Sequence, residues 1–352
     1  MPDPSAIVVR AGPRALARLR EGPLAPADIS AMPGAAGGPK GLALMPLDRL
    51  LARHWLPRCP RIELFGASIG AWRMAALAQA DAPAAIERLA DAYVNGQSYR
   101  HRPSAAEVSA VIRGVAQCVF GGRDPELRPG VSLDVLTSRA RGPLAGKRGR
   151  TAFARAALAN AAGRRFLAGH LERVAFHAGE ASRLDAPFDP FGLTRVALSA
   201  ANRDDALTAS GSIPLVCDPV VDVAGAPPGD YWDGGLIDYH LLLPHSRLGG
   251  IVLYPHFVPR VTPGWLDKFL PWRKHPVAHP WLDNVLLIAP SPAFVAALPR
   301  ARLPERQDFY HYGADHAARI AAWTRAMREC ERFADEAMAW LGRPRLDGVR
   351  SI

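Results

Sequence analysis

Lysine is scarce in this 352-residue chain: Lys40, Lys147, Lys268 and Lys274 are the only four, and arginine carries nearly all of a formal charge of +10. The cations are scattered rather than gathered into a tail or stripe, so the concentrated potential that nucleic acid recognition needs is missing, and no nucleic acid partner is expected. Cysteine is scarce too. Cys59, Cys118, Cys217 and Cys330 lie far apart with no C-x-x-C pair, which argues against a secreted disulfide scaffold and predicts free, mostly buried thiols in a reducing compartment. No apolar run approaches the length of a membrane span, residues 241–243 and 285–289 being the best candidates, and MPDPSAIVVRAGPRALARLR holds no signal-like apolar core. A soluble, cytoplasmic protein is expected, with room for peripheral contact with a membrane. Histidines are present but show no spacing that suits zinc, and neither metal nor cofactor is expected.

What the chain does have is an alternation of short apolar strands and helical patterns. With 49% hydrophobic residues, one domain with helical elaborations is expected. Residues 13–20 read as an amphipathic helix inside an N-terminal extension, 1–27. Residues 29–32 read as a strand, 34–41 as a glycine-rich turn, and 42–55 as a helix whose regular part starts near Pro46. Strand 62–65, turn 66–70 and helix 71–80 repeat that order. Two strand–helix units in so short a span predict an α/β fold, a three-layer α/β/α sandwich with a mainly parallel central sheet. Residues 83–128 read as a helical insertion, 131–137, 171–176 and 193–198 as further strands, 139–165 as a basic loop and an exposed helix, and 202–214 as a capped small-residue helix. Late strands fall at 251–254 and 285–288. The main domain is 28–300; 301–352 forms a C-terminal helix at 315–341 and a loose tail from 343.

The stretch LFGASIGAWRMAAL, residues 64–77, poses a chemical question. Ser68 stands on a sharp strand-to-helix turn between Gly66 and Gly70, where crowding is bearable only with glycine two residues to each side. The helix beyond points its positive dipole end at the hydroxyl, favouring an alkoxide and the oxyanion that follows. The same residues also spell a tight turn with a capping serine, so the context matters. Upstream, Gly37-Gly38-Pro39-Lys40-Gly41 offers bare backbone amides, from Gly37 and Gly38, for a developing oxyanion, with Lys40 adding positive potential. It lacks the hydroxyl that a P-loop requires after its lysine. Downstream, Asp233 in YWDGGL, 231–236, is either an ordinary turn aspartate or the base that takes the serine proton.

Glycine-rich loop, G-x-S-x-G and D-G-G, in that order, together with the small-residue block ALTASGSIPL at 206–215, resemble the patatin-like phospholipase family over about residues 29–240. The resemblance implies Ser68 as nucleophile, Asp233 as its sole partner in a Ser-Asp dyad, and the Gly37 and Gly38 amides as oxyanion hole. Two departures stand out. The family's loop usually has three consecutive glycines and an arginine, where this chain has Ala36, two glycines, Pro39 and Lys40; and Asp238-Tyr239-His240 follows where the family tends toward asparagine and proline. The second departure leaves a Ser-His-Asp triad through His240 or His245 as the rival mechanism. A partly exposed structural role is the ordinary reading of His240, and Ser210 and Ser212 read as packing and capping residues.

Residues 259–276, PRVTPGWLDKFLPWRKHP, mix aromatic and basic residues. Thr262 and Pro263 read as the start of a two-turn helix, with Trp265, Leu266, Phe269 and Leu270 on one apolar side and Trp272 just beyond. With Lys268, Arg273 and Lys274 this is the makeup of an anchor for an anionic membrane surface. It reads equally as a helix docked on the sheet edge with its rings buried. The function expected from all of these residues is serine-dependent hydrolysis of a lipid or acyl-ester substrate. An acyltransferase or thioesterase using the same serine, and a non-catalytic lipid-binding or scaffold protein, are the alternatives; oligomeric state is not readable from the sequence.

Overall fold

Strands that must be covered on both faces carry no polar alternation, and the middle of this protein is made of such strands. The computed structural model describes residues 5–100, 102–184, 188–273 and 279–352. Among them, eleven strands form one sheet: β1 (Ile7–Ala11), β2 (Ile29–Gly34), β3 (Ile62–Ala67), β4 (Val131–Ala140), β5 (Leu171–Gly179), β6 (Thr194–Ala197), β7 (Val220–Val221), β8 (Asp230–Asp233), β9 (Ile251–Pro255), β10 (Val285–Pro290) and β11 (Arg350–Ser351). Their order is β11-β1-β10-β9-β2-β3-β4-β5-β6, with β8 pairing β4 and β7 pairing β8. From β10 to β4 all neighbours are parallel, whereas β1, β5 and β8 run antiparallel to their partners β10, β4 and β4. Every residue of β2, β3 and β10 is buried.

The helices are α1 (Pro13–Arg20), α2 (Met45–His54), α3 (Ile69–Ala78), α4 (Ala82–Asn95), α5 (Ala105–Phe120), α6 (Arg150–Ala162), α7 (Arg164–Leu167), α8 (Arg203–Gly211), α9 (Pro292–Ala297), α10 (Gln307–Tyr312) and α11 (His316–Gly342). The fold is thus α/β with a mostly parallel central sheet, an arrangement consistent with a three-layer sandwich. All ten residues of α3 are buried. It approaches the sheet so closely that a Cβ on Gly70 would stand 1.9 Å from the carbonyl oxygen of Gly34, and one on Gly66 2.5 Å from the carbonyl carbon of Gly70. Only glycine permits that approach. The expected helical insertion is α4 and α5; the Ser104 hydroxyl caps α5 by accepting the Glu107 amide, and Gly121, left-handed at φ 58°, ends it.

Three expectations need correction. The N-terminal extension is not peripheral: β1 pairs antiparallel with β10, and the tail, expected to be loose, returns as β11 beside β1. The basic-loop helix, expected to be exposed, is α6, and it buries Ala152, Ala156 and Asn160 while Phe153 meets Trp232 edge-on at 5.1 Å. Ala152 and Ala156 belong to, and Phe153 packs against, a small second apolar cluster around Trp232 and Leu171, distinct from the main core. The C-terminal helix expected at 315–341 is α11. Asp315 caps α11 at the Ala318 amide, and Trp323, Cys330, Phe333, Ala337 and Leu341, at spacings of three, four and seven, sink into the same core as β2 and β3. Among the described residues no helix is long and apolar enough to cross a membrane.

Candidate active site

Two strands ending head-on along one edge of β4 create the site. The last pair of the β3–β4 ladder is Ala67 opposite Leu136; the next residue of β4, Thr137, faces Asp233, the last residue of β8. Because β3 runs parallel to β4 and β8 antiparallel, their ends converge, and Ser68 meets Asp233. The Ser68 hydroxyl donates to Asp233 Oδ2 at 2.8 Å. Asp233 Oδ1 accepts the Gly235 amide at 2.7 Å, and the Asp233 amide donates to the Ser212 carbonyl at 2.8 Å. Ser68 itself has φ 56° and ψ −134°, a positive φ that costs a side-chain-bearing residue on the order of 1–3 kcal/mol. The strain is held by its neighbours: the Ser68 amide donates to Ser210 Oγ at 2.9 Å, and that hydroxyl donates to the Leu136 carbonyl at 2.7 Å. Ser68 also stands at the N-cap of α3, where the helix dipole favours negative charge.

Burial dominates the electrostatics of the pair. Ser68 and Asp233 are each 7% exposed. Burial raises the Asp233 carboxyl from 3.8 to about 6; the bonds from Ser68 and Gly235 and the charges of Arg306 and Lys268 pull the other way without overcoming it. A carboxylate of that strength is ionised above neutrality yet a better proton acceptor than an exposed aspartate.

The dyad opens into a cavity of about 1040 Å³, which Gly37, Gly38 and Lys40 also line. The loop carrying them is tied down by the Ala36 amide donating to the Tyr239 carbonyl at 2.8 Å, so the segment after Asp233 supports the glycines before Ser68. A Cβ on Gly37 would lie 2.5 Å from the Phe257 ring, and Gly38 is left-handed at φ 57°. Lys40 lies 4.0 Å from Glu305, over the Phe257 ring, and burial lowers its ammonium, as do Arg260 and Arg302. Helices α4 and α5 give the cavity wall Tyr93, Val108 and Ile112; Ile213 and Leu215 come from the small-residue block and Val216 from the residue after it.

Neither His240 nor His245 lines the cavity among the described residues, and both Asp233 oxygens are engaged by Ser68 and Gly235. His240 is 2% exposed rather than partly exposed. Its Nδ1 accepts the Thr262 amide at 3.0 Å, and its ring meets His256 edge-on at 4.4 Å. Burial, and then His256, hold it well below the ordinary imidazole range, so it stays neutral. His245 is stacked on Phe65 with Nε2 at the Leu241 carbonyl. Nothing in this arrangement makes a triad.

The aromatic and basic segment also differs from its expectation. Thr262 and Pro263 do not start a helix: the Tyr239 amide donates to the Pro263 carbonyl and the His240 amide to that of Thr262. Two 3-10 turns follow, Trp265–Phe269 and Pro271–Arg273. Asp267, fully buried, pins them to α6 and α7 by accepting from Asn160, Arg164 and Arg273 at 2.7–2.9 Å. Arg273 is therefore committed to an internal ion pair. Lys268 turns into the cavity with Trp265 and Phe269, while Phe269 and Trp272 are 59% and 69% exposed. Lys274 lies outside the described residues.

Sequence reasoning missed Arg306, Tyr93 and Tyr239 as cavity residues, and it missed Ser210 as the brace of the Ser68 amide. The small-residue composition of 206–215 was the available signal for Ser210; for Arg306 there was none. Neither a scan against protein-family models nor a search of curated proteins returns a match to this chain.

Proposed function

We propose that this chain is a serine-dependent lipid acyl hydrolase of the patatin-like kind, acting through a Ser-Asp dyad and an acyl-enzyme. The observation that carries the reading is the 2.8 Å bond from the Ser68 hydroxyl to a buried Asp233 carboxylate at the wall of a large cavity. Ser68 Oγ attacks the ester carbonyl carbon as its proton passes to Asp233 Oδ2, and the charge gathering on the carbonyl oxygen meets the Gly37 and Gly38 amides. When the tetrahedral adduct collapses, the alcohol leaves with the proton from Asp233 and the acyl group remains on Ser68. Water then gives a proton to the same carboxylate and attacks the acyl carbon; the acid departs as the proton returns to Ser68. The apolar wall of Val108, Ile112, Ile213, Leu215 and Val216 supports an acyl chain as occupant.

Intact-mass analysis after treatment with a fluorophosphonate tests the reading. One adduct, mapped to Ser68 and absent from Ser68→Ala, is the expected result. Labelling of another serine, or none at Ser68 while the protein stays folded, rejects it.

A further inference from the structure

Among the described residues five lysines and arginines line the cavity; Arg100 and Arg102 precede α5, and Lys40, Lys268 and Arg306 are the three whose charges bear on one another or on Asp233. Of these three only Lys40 lies within 4.0 Å of a carboxylate of the described residues, that of Glu305, which Arg302 also engages. Among the described residues Lys268 and Arg306 form no ion pair. The Lys268 ammonium lies instead over the rings of Trp265, Phe269 and Tyr239, 4.7, 4.8 and 5.4 Å from their centroids. Burial lowers Lys268 to about 8, and Arg306 and Lys40 push it the same way, while Asp233 opposes. Like charges held together in a partly dry space are unfavourable until an anion joins them, and Asp233, with a Glu305 that is shared by Arg302, does not balance three positive charges.

Lys268 and Arg306 share one cavity with the apolar side chains of Val108, Ile112 and Leu215. An acyl chain on the apolar wall leaves the alcohol part of the ester to the cations. A guanidinium and an ammonium together suit a phosphate dianion, the first as a fork, the second as a point charge. Building on the hydrolase reading, we infer that Lys268 and Arg306 form an anion subsite that selects acyl esters whose alcohol carries a phosphate, such as a monoacylglycerol phosphate, over their neutral counterparts. This assigns Lys268 to substrate rather than to a membrane surface.

The test compares monoacylglycerol with monoacylglycerol phosphate of the same chain length. The wild-type enzyme is expected to favour the phosphate ester in kcat/KM by on the order of ten- to a hundred-fold, the range of a charge-assisted bond. Lys268→Gln and Arg306→Gln should each bring the ratio of the two substrates toward one, and Lys268→Arg should retain most of it. Equal kcat/KM for the two esters in the wild type overturns the inference and leaves the hydrolase reading standing. A second measurement does not depend on turnover: calorimetric binding to Ser68→Ala of monoacylglycerol phosphate, glycerol 3-phosphate and inorganic phosphate. Binding of the lipid phosphate that weakens at least about ten-fold on adding Lys268→Gln is expected, with the two soluble phosphates much weaker. No binding, or binding indifferent to Lys268, overturns the subsite whether or not Ser68 reacts with fluorophosphonate. Equally tight binding of glycerol 3-phosphate overturns the lipid assignment.

Discussion

Replacing Asp233 by asparagine should inactivate the protein and at the same time stabilise it, and the gain should depend on pH. The carboxyl goes from 3.8 to about 6 on folding because burial disfavours its charge. A raised carboxyl binds its proton more tightly in the folded state, so its contribution is fully present below 3.8 and is lost as pH rises through about 6. At about 1.4 kcal/mol per unit of pKa, the ionised group costs on the order of 3 kcal/mol at pH 8 but only about 1 kcal/mol at pH 4.5. Asparagine has no such charge, and its amide fits the same bonds: the oxygen accepts from Gly235 and the nitrogen donates to Ser68 Oγ. The stability difference between variant and wild type should therefore grow by about 2 kcal/mol between those pH values. For 352 residues unfolding in one step that is roughly 3 °C in the difference of Tm. Paired melts of wild type and Asp233→Asn at pH 4.5 and 8 make the comparison, and other groups that titrate in both proteins cancel. Turnover of a soluble ester should fall by at least about a hundred-fold. A variant less stable than wild type at pH 8, or a difference that does not change with pH, refutes the claim that Asp233 is ionised against its environment.

Activity on a neutral soluble ester should rise with pH through about 6 and then level off, since Asp233 must be ionised to take the serine proton; a profile flat from pH 5 to 8 contradicts a carboxylate base. Trp272, 69% exposed and beyond the cavity lining, should act at a lipid surface: Trp272→Ala is expected to weaken sedimentation with liposomes by roughly ten-fold and to spare soluble-ester activity. With Arg273 held by Asp267 and Lys268 turned inward, zwitterionic and anionic liposomes should bind more nearly alike than the composition of the segment suggests; a strong preference for anionic ones would place those cations outside.

Local pattern carried much of this architecture. The glycines around Ser68 announce a close strand-to-helix turn because their lack of a side chain is what the backbone approach demands, and the parallel order follows from strand–helix alternation. Composition showed Asp233 only as a turn residue; its pairing with Ser68 was legible through the family resemblance alone, because it depends on how β8 aligns on β4. The edge strands escaped notice for a related reason. Residues 350–351 are too short to show periodicity and pair only because β1 lies waiting on the sheet edge. Charge was the least legible property: Arg273 and Lys268 look equivalent along the chain, yet one is absorbed by a buried aspartate and the other by three aromatic rings. His240 was misjudged as partly exposed because its burial comes from His256 and Phe257, which sequence places well downstream.

The meeting of two strand ends along β4 also sets a timetable. Ser68 and Asp233 are 165 residues apart, and nearly half the chain must be synthesised after the serine before its hydrogen-bond partner exists. Until β8 docks beside β4, the hydroxyl has a strained turn and a helix behind it but no carboxylate to take its proton. A nascent or clipped chain that stops short of residue 230 would hold Ser68 without its partner, so on the proposed reading reactivity cannot precede the docking of β8 on β4.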